Sequence, residues 1–150
     1  MLKKIIFGLI ILLVLIQFIR IDKTNPPVDK SKDFITLTQP SDEIKGILVT
    51  SCYDCHSNET NYPWYTNVAP LSWWLKNHIN EGREHLNFSE WATYTEERQQ
   101  HKLDECIEEV HEGEMPLSSY TIIMHKDAAL SPAQKDALNT WIATLIKKKQ

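Results

Sequence analysis

Cys52-Tyr53-Asp54-Cys55-His56 constrains this chain more than any other stretch. Two thiols three residues apart with an imidazole directly after them match the chemistry of covalent haem attachment. Each thiol adds to a haem vinyl group as a thioether, and the adjacent histidine becomes the proximal iron ligand. A thioredoxin-like dithiol would instead open a helix that follows a strand, whereas this motif closes a helical pattern and no βαβ unit is present. A structural zinc site would need a second ligand pair, and Cys106 stands alone. Three cysteines are also too few for a disulfide scaffold. The expected cofactor is one covalently attached haem c, held by Cys52, Cys55 and His56.

The start of the chain points to export. Ile5 to Ile16 is apolar apart from Gly8, the run continues through Phe18 and Ile19 to Arg20, and Lys3 and Lys4 precede it. Ile5 to Ile21 as a helix would span about 25 Å, workable for a single anchor with flanking charges snorkelling. Gln17 to Asp22 offers bulky and charged residues where signal peptidase requires small ones, so the segment is expected to stay on the mature protein. Lys3 and Lys4 would remain cytoplasmic, placing the remainder in the periplasm as a single-pass protein of the inner membrane. Residues 1–21 are therefore read as the anchor. Residues 22–33, polar with Pro26 and Pro27, read as a semi-rigid extended tether, and residues 34–150 as the haem domain.

Within that domain the apolar spacing is helical. Ser41 caps a first helix with Ile44, Ile47, Leu48 and Cys52 on one face. A second, from about Leu71 to Arg83, aligns Leu71, Trp74, Leu75, His78 and Ile79. Thr95 opens a third, bearing Leu103, Cys106, Ile107 and Val110 and closed by Gly113. Ser131-Pro132-Ala133-Gln134 begins the fourth, with Leu138, Trp141, Ile142 and Leu145 buried and Lys147 to Lys149 at its negative end. No alternating strand pattern or internal repeat is present. The expected fold class is mostly α: a small helical domain behind a transmembrane anchor and a polar tether.

The sixth iron position separates electron transfer from ligand binding. Met115, in Gly113-Glu114-Met115-Pro116, offers a soft thioether from a loop between two helices. His78, on the stripe of the second helix, is the imidazole rival, and Met124 reads as core. His85, His101, His111 and His125 lie among polar neighbours and read as solvent-facing. Tyr62, Trp64, Tyr65, Trp73, Trp74, Phe88, Trp91 and Tyr94 concentrate aromatics after the haem motif. They either line a haem pocket, with groups such as the Trp74 indole reaching the propionates, or pack as ordinary core. Arg83 either pairs with a propionate or is solvated at its helix end. Cys106 reads as a buried thiol without chemistry.

The chain resembles class I c-type cytochromes in its helix ending in C-x-x-C-H, its Met-Pro loop far downstream and its capped C-terminal helix with Trp141. More closely, it resembles the bacterial haem-binding domain family with a single C-x-x-C-H. The resemblance rests on Cys52 to Thr60, Tyr62-Pro63-Trp64-Tyr65, Ala69-Pro70 with Ser72-Trp73-Trp74, Asn87-Phe88-Ser89-Glu90-Trp91 and Gly113 to Leu117, and covers about residues 35 to 147. It implies haem binding at the cell envelope. The likeness to class I cytochromes also implies that the Pro70 carbonyl accepts the His56 Nδ1 hydrogen and fixes its tautomer.

Charge narrows the partners. From residue 21 onward thirteen Lys and Arg face twenty Asp and Glu, which argues against nucleic acid. Asp104, Glu105, Glu108, Glu109, Glu112 and Glu114 crowd the approach to Met115. They are either the wet face of the third helix or a surface that steers a basic redox partner. The resulting expectation is a membrane-tethered monohaem electron carrier with His56 and Met115 as axial pair, and not an enzyme. The alternatives are an open-site ligand sensor or peroxidase-like protein, and a haem-free envelope adaptor.

Overall fold

Helix starts marked by capping side chains are found where the sequence sets them. Ser41 Oγ accepts the Ile44 N–H, Thr95 Oγ1 the Arg98 N–H, and Ser131 Oγ the Gln134 N–H, while Gln134 Oε1 accepts the Ser131 N–H in return. The computed structural model describes residues 1–122 and 125–147. Met124, Lys148 and Lys149 lie outside the described residues. Among those described there are α-helices and 3-10 turns and no strand, so the mostly α class holds.

In chain order the helices are α1 (Leu2–Ile16), α2 (Phe34–Thr38), α3 (Asp42–Ser51), α4 (Tyr53–His56), α5 (Leu71–His85), α6 (Glu96–Glu112), α7 (Ser118–Thr121) and α8 (Pro132–Leu145). α6 ends on Gly113 in the left-handed region, φ 85°, the conformation a glycine adopts without a Cβ penalty. The short α2 and α7 are too brief to leave a periodic signature. α3 packs against α8, and α6 against α8. Their shared core contains Ile44, Leu48, Leu103, Val110, Leu138 and Ile142, all buried. Phe34 on α2 plugs it, with ring centroids 5.0 Å from Phe88 and 4.7 Å from Trp91. Gly46 is exposed, and a Cβ added there would meet nothing within 4 Å.

Two expectations need correction here. α5 buries Ser72, Leu75 and Ile79, whereas Leu71 and Trp74 remain exposed, so its inward stripe is shifted from the one the apolar residues suggested. The apolar N-terminal run is helical only to Ile16, because the amide of Gln17 turns to the domain. Its Nε2 donates to Ala69 O at 2.9 Å and its Oε1 accepts from Ala69 N at 3.0 Å. The apolar side chains of α1 are exposed from Leu2 to Leu15, and its 15 residues cover about 22 Å. Among the described residues no helix is long and apolar enough to cross a membrane.

Residues 22–33 are not a free-standing tether. The segment is extended but tied down: Asn25 Nδ2 donates to Thr60 O, Asn58 Nδ2 to Pro27 O, and Lys30 pairs with Glu59. Asp33, 2% exposed, caps α2 through Thr36 N and accepts from Tyr53 Oη at 3.1 Å. Backbone and side-chain groups of the polar loop after His56 supply these partners, which composition alone does not reveal.

Candidate functional site

The break between α3 and α4 falls on Cys52, whose φ of −124° and ψ of −43° leave the helical path. α4 then presents Cys55 and His56 to a cavity of about 580 Å³. Cys52, Cys55, His56 and Met115 all stand on its wall, among apolar side chains such as Leu48, Phe88 and Leu138. This volume is in the range of sites that enclose a whole cofactor, about 300–1,000 Å³. None of the three cysteines is disulfide-bonded. Burial pushes the Cys52 thiol up to about 12, with the neighbouring Cys106 adding to the effect, and burial pushes Cys55 up to about 11. Both therefore keep their S–H proton at neutral pH.

His56 is oriented by backbone. Its Nδ1–H donates to Gly82 O at 3.0 Å and Leu86 O at 3.1 Å, which leaves Nε2 for a metal. Burial lowers its pKa, against the two carbonyls that favour the charged form, so the neutral ligand form prevails. The Nδ1 partner is thus not Pro70, whose carbonyl instead accepts the N–H groups of Trp73 and Trp74 at the start of α5. Gly82 makes the approach possible: a Cβ there would lie 2.9 Å from Cys55 O.

The loop following the motif is polar yet buried, and its groups are paired. Ser57 Oγ donates to Tyr53 O, Asn58 N to Ser89 Oγ, and Asn87 Nδ2 to Asn58 Oδ1. Arg83 belongs to this framework. Its Nε donates to Ser57 O at 2.7 Å, and its Nη2 to Asn25 Oδ1 and Thr60 Oγ1, both at 2.8 Å. It is half-buried and stands off the cavity wall, with Nε and Nη2 engaged by the loop and by Asn25. Trp74 also stands off the wall, 38% exposed, with its ring against His78 at 4.2 Å.

Met115 is half-buried against the core, and its N–H bonds to Glu109 O at 3.1 Å. The segment that follows is clamped to the haem motif, because Tyr120 Oη donates to Asp54 Oδ2 at 2.9 Å. Burial and the Asp54 carboxylate raise the Tyr120 pKa. His78 lines the same cavity with Nδ1 on Trp74 O at 2.9 Å. His101 and His111 are exposed as expected, and His85 is exposed but on the cavity rim. His125 departs from the expectation, being half-buried, bonded to Tyr65 Oη and stacked on Tyr120 at 4.1 Å. Phe88 and Trp91 line the cavity and core together, while Trp64 is exposed.

Sequence reading missed Lys102 and Tyr120, both on the cavity wall. Lys102 pairs with Glu105 on α6 and precedes Cys106 by four residues, so helical spacing already put it on the cavity face. Tyr120 carried no such signal, because α7 is a single turn.

A thioether, an imidazole with a free Nε2 and two protonated thiols meeting in an apolar cavity are a donor set suited to haem. The family model of the haem-binding domain matches residues 11–144. The chain belongs to the haem-binding domain family. No curated protein and no solved structure matches it. The matched span begins inside α1 and includes the docked segment 22–33, so in this haem-binding domain those residues fall within the family unit and not ahead of it.

Proposed function

We propose that this haem-binding domain is a c-type monohaem electron carrier at the cell envelope, with His56 and Met115 as axial ligands. The observation that carries the reading is the convergence of Cys52, Cys55, His56 and Met115 on one cavity wall system. Haem bound there supplies a one-electron couple. Cys52 and Cys55 would hold the haem as thioethers, each thiol S–H adding across a vinyl C=C with its hydrogen going to the other carbon and no net oxidation.

The protein's own contribution is positioning. Gly82 and Leu86 carbonyls hold His56, and the Tyr120–Asp54 bond holds the Met115 segment beside the motif. His78 lies one turn before Gly82 on α5, the same helix whose carbonyl orients His56. Met115 comes from a separate segment and is the better sixth ligand for that reason. Lys102, half-buried on the cavity wall, is the cation suited to a propionate, in place of Arg83. α1 is the membrane anchor, with the domain in the periplasm and a basic redox partner drawn to the acids of α6.

The test is the covalent linkage. Protein denatured and extracted with acid and organic solvent should keep its haem and should titrate one thiol per chain, that of Cys106. The Cys52→Ala, Cys55→Ala double variant should release haem under the same treatment. Three free thiols in haem-loaded wild-type protein would refute the assignment.

A further inference from the structure

The end of α1 is fixed to one face of the domain. Besides the Gln17–Ala69 pair, Arg20 Nη1 reaches Asn67 O, Lys23 Nζ the Asn67 side chain at 2.6 Å, and Trp73 Nε1 donates to Ile19 O at 3.0 Å. The 3-10 turn Trp64–Asn67 and the first turn of α5 form that face. It is apolar and uncovered: Trp64 is 70% exposed, Val68 43%, Leu71 38% and Trp74 38%, beside Phe18 at 80% and Ile19 at 61%. Contiguous exposed apolar surface of this kind marks an interaction site. Arg20, Lys23 and Lys76 lie along it together with Asp22, in a chain whose net charge is −4.

We propose that this face rests on the lipid bilayer that α1 enters, with Trp64 and Trp74 at headgroup depth and Arg20, Lys23 and Lys76 beside anionic lipid phosphates. The inference rests on reading α1 as the anchor. Continuity carries it: once α1 is in hydrocarbon, the hydrogen bonds at Gln17, Ile19 and Arg20 leave the domain no length of chain with which to stand off the surface. Indole rings favour the water–hydrocarbon boundary because an apolar body and a polar N–H are satisfied there together. Basic residues add attraction to anionic leaflets. The consequence reaches the haem cavity, since His78 on its wall stands about 6 Å beyond Trp74 along α5.

The full-length haem-loaded protein, reconstituted into vesicles of phosphatidylethanolamine and phosphatidylglycerol, provides the test. A photo-crosslinking phenylalanine analogue is placed singly at positions 9, 64, 74, 37 and 49, and lipid adducts are read by mass. Leu37 and Val49 are exposed apolar positions on α2 and α3. An unchanged haem spectrum certifies the fold of each variant. Adducts at 9, 64 and 74, with none above background at 37 and 49, are the expected result. Adducts at 9 without any at 64 and 74, or equal labelling at all four domain positions, overturn the docked orientation and leave the anchor standing. No adduct at 9 overturns the anchor itself, and this inference with it.

Discussion

Single side chains decide what the haem iron can do. Met115→Ala should abolish the long-wavelength sulfur-to-iron band of the oxidised protein and open the iron to carbon monoxide. Met115→His should keep six-coordination and lower the potential, since imidazole favours ferric iron more than thioether does. His78→Ala should leave the band unchanged; loss of the sixth ligand there, and not in Met115→Ala, would make the protein a bis-histidine cytochrome. An unchanged optical spectrum in both variants would leave the site open to the sensor reading. Gly82→Ala tests the proximal side. Alanine gains about 1 kcal/mol of helix propensity, but its Cβ would press on Cys55 O at 2.9 Å. Overpacking against backbone costs about 1–3 kcal/mol, so thermal melting should fall. Cys52, Cys55 and His56 were legible because their chemistry is contiguous in the chain. The partners of His56 were not, because Gly82 and Leu86 act through carbonyls, which every residue type carries.

Elements followed the sequence wherever a cap and a period agreed. α6 runs from its Thr95 cap to its Gly113 stop, and α8 opens on the Ser131–Gln134 box, because local hydrogen bonding at the ends and apolar spacing between them favour the same boundaries. α5 shows where this fails. Trp74 was read as inward, yet α5 approaches α4 closely at Gly82, where a Cβ would lie 2.9 Å from Cys55 O, and Trp74 is left 38% exposed. On α6, Asp104, Glu108, Glu109 and Glu112 are exposed, whereas Glu105 is paired to Lys102 and His101, and its carboxyl is held below the usual range chiefly by the Lys102 hydrogen bond. A basic partner would therefore meet Asp104, Glu108, Glu109 and Glu112, together with the exposed Glu114 just beyond the helix. The electron-transfer rate, followed by stopped flow with a cationic acceptor, should fall as salt shortens the screening length to about 8–10 Å and below. It should fall further in a Glu108, Glu109, Glu112 to Gln variant, and that variant should lose most of the salt dependence. A salt-independent wild-type rate would make this surface ordinary solvated helix.

For the molecule as a whole, the segment before the helical domain is the part least visible from composition. Asp22 to Asp33 reads as linker because it is polar and proline-bearing, but those same polar groups satisfy a loop whose own donors and acceptors are buried behind the haem motif. Arg83 is the joint, reaching Ser57 and Thr60 on the loop and Asn25 on the segment. Arg83→Ala should therefore release residues 22–33 to proteolysis and faster amide exchange. Hydrogen bonds to a charged group are worth about 1.5–3 kcal/mol, and at about 2–4 °C per kcal/mol for a chain of about 150 residues the melting temperature should drop by several degrees. The haem should stay covalently attached, with its potential little changed. In Lys102→Met the pattern should invert: the loss of a cation beside the cavity lowers the potential by favouring the ferric charge, while residues 22–33 stay protected. If Arg83→Ala shifted the potential and spared the segment, Arg83 would be the propionate partner after all, and the docked segment would be held by Asn58, Lys30 and Asp33 alone.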